Sequence, residues 1–285
     1  MHLDLIESLN LPGDPAKPNE DAFMHGAHFA AVFDGATGLG EQLLPGASDA
    51  QWIARFGARR LAAHAQSGEG SPRDWLRAAA TDAERSYAGL RRRPPKDNYE
   101  IAFASLMFVA LDRDGLDVLW FGDCSLLHNA HGIFATIGDT MDSRAQEQAR
   151  VRALTKSHAS DAGPAAPAVR AQFLPALRTS RNAVNTEKGE WLFAPNAACA
   201  DHAHQARMGV APGTALLLAS DGFLALASDY GRCSFEGLFS AAEQKGLKAL
   251  GAELREVEAG DPEGLAFPRF KKGDDATAVL LRVAA

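Results

Sequence analysis

Between Ile101 and Gly138 the chain carries four apolar runs, IAFASLMFVALD, GLDVLWFGD, SLLHNA and GIFATIG, punctuated only by Asp-Gly, Gly-Asp and His-Gly turns. Turns this short suggest consecutive antiparallel strands. Further strand-like runs lie on either side. DLIESL opens the chain, AFMHG and HFAAVF form a hairpin around Gly26, and EWLFA, ALLLAS and ATAVLLRV follow in the second half.

Helical spacing appears between these runs. Trp52, Ile53, Phe56, Arg60 and Leu61 recur on one face, with Ser48 or Asp49 placed to cap the start. Ser71 before Pro72, with Asp74 in the first turn, predicts a second helix from Pro72 to Leu90. Helices are also expected over Ser143 to Leu154, Phe235 to Gln244 and Leu247 to Glu258, whereas SHASDAGPAAPAVRAQ reads as an Ala/Pro-rich connection with room for one helical piece. Strands, a helix pair, a strand block, helices and a final strand make an α+β sandwich of antiparallel sheets with helices outside, rather than an alternating parallel fold.

Composition narrows the function classes. The 285 residues are 46% hydrophobic and 23% charged, which suits a packed core, and the net charge of −7 disfavours nucleic acid as a partner. Arg91-Arg92-Arg93 closes a helix-like stretch, where cations favour the macrodipole. Cys124, Cys199 and Cys233 are widely spaced and odd in number, so they read as small core residues. The N-terminus lacks a basic and apolar leader pattern and no run approaches a membrane span, so a soluble, cytoplasmic protein is expected.

Acidic residues gather at strand ends. HFAAVF ends at Asp34-Gly35, ALLLAS at Asp221-Gly222, ATAVLLRV begins after Asp274-Asp275, and Glu20-Asp21 precedes AFMHG. One Asp-Gly is an ordinary turn signal. If these strands are neighbours, however, several carboxylates converge at one rim, where they repel and raise one another's pKa unless cations neutralise them. Oxygen donors without cysteine or histidine partners suit Mg²⁺ or Mn²⁺ rather than Zn²⁺. Glycine at positions 35 and 222 lets the backbone approach such an ion closely.

NEDAF, AAVFDGATG, WFGDCSLL, LLLASDGF and GDDATAVLL, in this order and spacing, resemble the metal-dependent type 2C protein serine/threonine phosphatases. The resemblance runs from Asn19 to Leu281 and implies one domain over 1–285, folded as a four-layer αββα sandwich with a variable flap near 157–181. It implies two Mn²⁺ or Mg²⁺ ions and hydrolysis of phosphoserine or phosphothreonine by a water activated between them. Position by position, Asp34 matches the bridging metal ligand, Gly35 the carbonyl ligand, Asp221 and Asp274 the other direct ligands, and Glu20 an acid contacting metal-bound water. A phosphorylated protein is the implied substrate and a serine/threonine kinase a cognate partner.

Departures from the family pattern bear on activity. The arginine that grips phosphate in many members is replaced by Ala16, leaving Lys17 as the stand-in; the histidine after Asp-Gly is Ala36. An aspartate of the third metal site is Ala225, although its partner Asp123 remains, so a third ion is expected to bind weakly. Arg178 and Arg181 near the flap are available for phosphate or an acidic substrate, against a reading as plain surface arginines.

Other patterns are weaker. His202 and His204 face one way only if their segment is a strand, and no third zinc ligand lies nearby. GATGLG lacks the Lys-Ser/Thr of a nucleotide loop. VFDGATG superficially resembles the nucleophile loop of haloacid-dehalogenase-like phosphatases, but Ala36 stands where that loop needs a second aspartate. Two rival expectations remain: a phosphatase of small phosphate esters, and a phosphoprotein-binding module that has lost turnover, which Ala16, Ala36 and Ala225 favour and the intact acids oppose.

Overall fold

Strands that alternate apolar residues toward both faces need cover on both sides. In β3 (Phe29–Gly35), Phe29, Ala31 and Phe33 enter one buried cluster while Ala30 and Val32 enter another. β9 (Ala215–Ala219) and β10 (Ala276–Ala284) divide in the same way, with Leu217 and Ala278 on one side and Leu216, Leu218 and Val279 on the other. The computed structural model describes residues 1–138, 167–269 and 271–285, with side chains from 171 in the second segment.

Two five-stranded antiparallel sheets result. β2 (Asp21–Gly26), β3, β4 (Ala104–Leu111), β5 (Leu116–Phe121) and β8 (His204–Met208) lie side by side in one. The other has the order β1 (His2–Leu11), β10, β9, β6 (Ser125–Ala130) and β7 (Ile133–Gly138). Val32, Met107, Val109, Leu126, Leu218 and Val279 fill the space between the sheets. Outside the first sheet, α1 (Asp49–Ser67) and α2 (Pro72–Leu90) pack Ile53, Leu61, Leu76 and Ala80 against Phe33 and Phe108. Outside the second, α4 (Asp221–Ser228), α5 (Phe235–Lys245) and α6 (Leu247–Gly260) pack Phe223, Leu238, Phe239 and Leu254 against Leu217 and Leu280. The expected αββα layering is therefore present.

The expected caps form. Ser48 accepts the Gln51 amide to start α1, and Ser71 and Asp74 make a reciprocal capping box around Pro72. One local reading changes, and two elements stand where none was assigned from the sequence. EWLFA is not a sheet strand: Phe193 makes one bridge to Ala104 and is fully buried edge-on against Phe33, at a ring distance of 5.4 Å, so its apolar run serves as a core plug. GFLAL continues as α4 because Ser220 ends β9 and begins a helix, a switch that a short apolar run cannot announce. The edge strand β8, HQARM, lacks an apolar pattern and was not expected.

The flap region lies partly outside the described residues, as does all of the Ser143 to Leu154 helix. Its latter part belongs to a helix, α3 (Pro167–Ala183), which carries Arg178 and Arg181. α2 ends at Leu90, before the arginine triplet; Arg93 instead pairs with Glu41 and Glu100, holding the Glu100 carboxyl down at about 2. His202 and His204 stack on different rings, Trp191 and Trp120, at 3.4 and 5.2 Å, and do not converge. No helix among the described residues is long and apolar enough to cross a membrane.

His128 on β6 is a polar exception in the core. It is 8% exposed, its Nδ1 has no hydrogen-bond partner among the described residues, and burial lowers its pKa from 6.5. Below about pH 6.5 the unfolded chain therefore binds a proton that the folded chain resists, so stability falls as pH falls, by at most about 1.4 kcal/mol per pH unit. Urea unfolding at pH 7.0 and 5.5 should show this loss, and His128→Leu should reduce it. An unchanged pH slope in His128→Leu would place the acid sensitivity elsewhere.

Candidate functional site

Strand alternation places Asp34 on the same face as Ala30 and Val32, between the two sheets at their rim. Its cross-strand partner is Asp21, the first residue of β2, so two carboxylates face one another directly. Asp21 is 2% exposed. Ser220, also buried, donates its hydroxyl to Asp21 Oδ2 at 2.9 Å and accepts the Thr277 amide at 2.9 Å, joining the sheets at this point. The second Asp21 oxygen, Oδ1, finds no hydrogen-bond partner among the described residues.

Three more carboxylates reach the same rim from turns. Asp221 is the first residue of α4, where the helix N-terminus favours an anion. Asp123 lies in the turn by which the chain leaves β5 in one sheet for β6 in the other. Asp274 immediately precedes β10. Burial pushes the Asp34 pKa well above the usual carboxylate range, and the charges of Asp21, Asp221, Asp123 and Asp274 push it further. Burial likewise raises Asp21, with Asp275 and Asp274 adding to it while the Ser220 hydroxyl opposes. The sequence-predicted ligands Asp221, Asp274 and Asp123 thus all stand within electrostatic reach of Asp34.

Backbone approaches are as tight as glycine permits. A Cβ on Gly35 would lie 2.5 Å from the Glu20 carbonyl oxygen and 2.6 Å from that of Ala50; one on Gly222 would run into the Asp275 carbonyl oxygen. Such distances demand a backbone shift. Glu20 is held at both oxygens, by the Thr37 hydroxyl at 2.6 Å on Oε2 and by Ser48 on Oε1, so the residue that caps α1 also orients this acid.

Lys17 is 73% exposed on its side chain, and its ammonium lies 3.5 Å from Asp14. Arg178 donates to the Leu39 carbonyl at 2.8 Å and lies over the Tyr99 ring, and Arg181 reaches the Ala36 carbonyl at 3.5 Å. These two arginines brace the loop that leaves Asp34-Gly35.

Three residues at the rim were not singled out from the sequence. Asp21 was passed over for its neighbour Glu20, although β-strand alternation distinguishes the two. Asp275 accepts the amides of Gly13 at 2.8 Å and Glu20 at 2.6 Å, tying three segments together. Lys271 pairs with Asp274 Oδ1 at 2.7 Å. Burial works against its ammonium, yet Asp274, Asp34 and Asp221 hold its pKa above the ordinary lysine value. Only the paired acids of NED and GDD pointed to the first two, and nothing pointed to Lys271.

The fold matches solved structures over its whole length. The serine/threonine phosphatase PstP/Ppp of Mycobacterium tuberculosis superposes with a TM-score of 0.60 at 15% identity, covering 100% of both chains. The chain has the type 2C phosphatase fold. Among other matches to this fold, the PstP catalytic domain in complex with two manganese ions gives 0.55 at 14% identity, over 100% of this chain and 99% of that one. PppA, described as a key regulatory component of T6SS in Pseudomonas aeruginosa, gives 0.55 at 18% identity, over 99% and 98%. No protein-family model matches the sequence, and no curated protein does.

The residues present fit hard divalent cations. All the donors are oxygen, the carboxylates raise one another's pKa on top of burial, and a buried Asp21 oxygen has no hydrogen-bond partner among the described residues. Among the described residues no three acids, histidines or cysteines stand close enough to hold an ion as they are placed.

Proposed function

We propose that this chain is a metal-dependent phosphatase that hydrolyses phosphoserine and phosphothreonine on proteins, acting as one catalytic unit over 1–285. The observation that supports it is the meeting of Asp21, Asp34, Asp123, Asp221 and Asp274 at one rim of a fold matched end to end by serine/threonine phosphatases.

Asp34, Asp221, Asp274 and the Gly35 carbonyl would hold two Mn²⁺ or Mg²⁺ ions, with Asp123 contributing to a weak third position. Divalent ions bound here polarise phosphoryl oxygens and lower the proton affinity of water. The protein's own part is placement. Glu20, fixed through Thr37 and Ser48, orients a water by accepting its proton-bearing edge. Asp275 holds Gly13 and Glu20 in register, and Ser220 keeps the two sheets joined beneath the acids. Lys17, exposed on its loop, would exchange its 3.5 Å pairing with Asp14 for the phosphate dianion, meeting it as a point charge. Ala36 offers no acid for the leaving oxygen, so its protonation would fall to water or be slower.

Hydrolysis of p-nitrophenyl phosphate and of a phosphothreonine peptide, with Mn²⁺, with Mg²⁺ and with chelator, tests the reading. Turnover should require metal and fall by at least about 100-fold in Asp221→Asn. Activity on the aryl ester alone would favour small phosphate esters as substrates. No turnover by folded, metal-loaded protein on either substrate would overturn catalysis in favour of phosphoprotein binding. The Lys271–Asp274 pair is the observation that speaks for that second reading.

A further inference from the structure

We propose that Lys271 is a built-in counter-cation of the carboxylate rim, a positioning residue that holds Asp274 in the metal-free protein and competes with a divalent ion for it. The inference rests on the metal-using reading above.

Lys271 Nζ and the Asp275 amide both donate to Asp274 Oδ1, at 2.7 and 2.9 Å. That oxygen thus accepts from two donors, one of them charged, so a metal approaching this carboxylate meets the ammonium's charge and, if it takes Oδ1, must displace it. The loop carrying the pair is pinned from both sides. Arg255 donates to the Asp274 carbonyl at 2.8 Å, and Arg269 donates to the Lys272 carbonyl at 3.1 Å. With its backbone anchored, the part of this loop best able to move is the four-carbon lysine stem, whose side chain is 35% exposed and so has solvent to withdraw into. Asp34 and Asp221 also act on this ammonium, so it offsets repulsion across the rim and not only at its direct partner. Such an arrangement stabilises the empty site and weakens the loaded one.

Titration calorimetry with Mn²⁺ and thermal melts in chelator test this on the full chain, using Lys271→Gln, Lys271→Met and Lys271→Arg, with the exposed neighbour Lys272→Gln as a control for general charge. Lys271→Gln and Lys271→Met should bind Mn²⁺ about tenfold more tightly, a gain of about 1.4 kcal/mol, and melt lower without metal, because the competing unit charge is gone. Lys271→Arg should stay near wild type. A merely structural lysine would lower the melt without tightening Mn²⁺. Unchanged or weaker binding in Lys271→Gln, or equal tightening in Lys272→Gln, overturns the inference and leaves the phosphatase reading standing. Failure of wild type and variants alike to bind Mn²⁺ overturns both.

Discussion

Asp34→Asn is expected to lower phosphate-ester hydrolysis by on the order of 10³-fold while raising the melting temperature of the metal-free protein. The two effects have one cause. Asp34 stands cross-strand from Asp21 and is pressed by Asp221, Asp123 and Asp274, so without metal its charge is a liability to the fold. Removing one charge from a crowded, partly desolvated set relieves about 1 kcal/mol, or roughly 2–4 °C for a chain of this size. The same carboxylate is the proposed bridge between two metal ions, and a neutral amide binds hard cations poorly. Steady-state hydrolysis with Mn²⁺ and melts in chelator read the two effects separately. A variant that melts lower than wild type in chelator would show that these acids do not repel one another as their arrangement requires.

Arg255→Met is expected to cost about 3 kcal/mol of stability, seen as an earlier midpoint in urea. Arg255 pairs with Glu258 on its own helix, α6, and donates to the carbonyls of Leu11 and Asp274 at 3.2 and 2.8 Å. Glu258 is 6% exposed; burial raises its pKa, and Arg255 is the charge that opposes this, helped by the Tyr230 hydroxyl at 3.3 Å. Without the guanidinium a carboxylate is left in the core uncompensated, and the loop before β10 loses its tether. Arg255→Met combined with Glu258→Gln should recover part of the loss, because the orphaned charge is then gone. A double variant no more stable than Arg255→Met would mean that the backbone contacts, not the buried charge, set the cost.

Much of the architecture was legible because burial on both faces leaves a mark in the chain. Continuous apolar runs such as HFAAVF, ALLLAS and ATAVLLRV became β3, β9 and β10, and the Ser71-Pro72 signal became the start of α2. β8 escaped because an edge strand buries little, and its HQARM carries no apolar alternation. EWLFA misled for the opposite reason. An isolated apolar plug such as Phe193 has the same composition as a strand.

The candidate site divides along the same line. Which acids end which strands is a property of the linear chain, so Asp34, Asp221 and Asp274 could be named from it, while Asp123 came only from the family resemblance. Their partners could not. That Asp21 opposes Asp34, that Ser220 joins Asp21 to Thr277 across the sheets, that Asp275 ties Gly13 to Glu20, and that Lys271 neutralises Asp274 all depend on register and on contacts between distant segments. Hydrophobic periodicity and turn chemistry are local and survive in the sequence. Charge compensation is a through-space balance, and only the packed tertiary structure decides which cation or hydroxyl stands beside each acid.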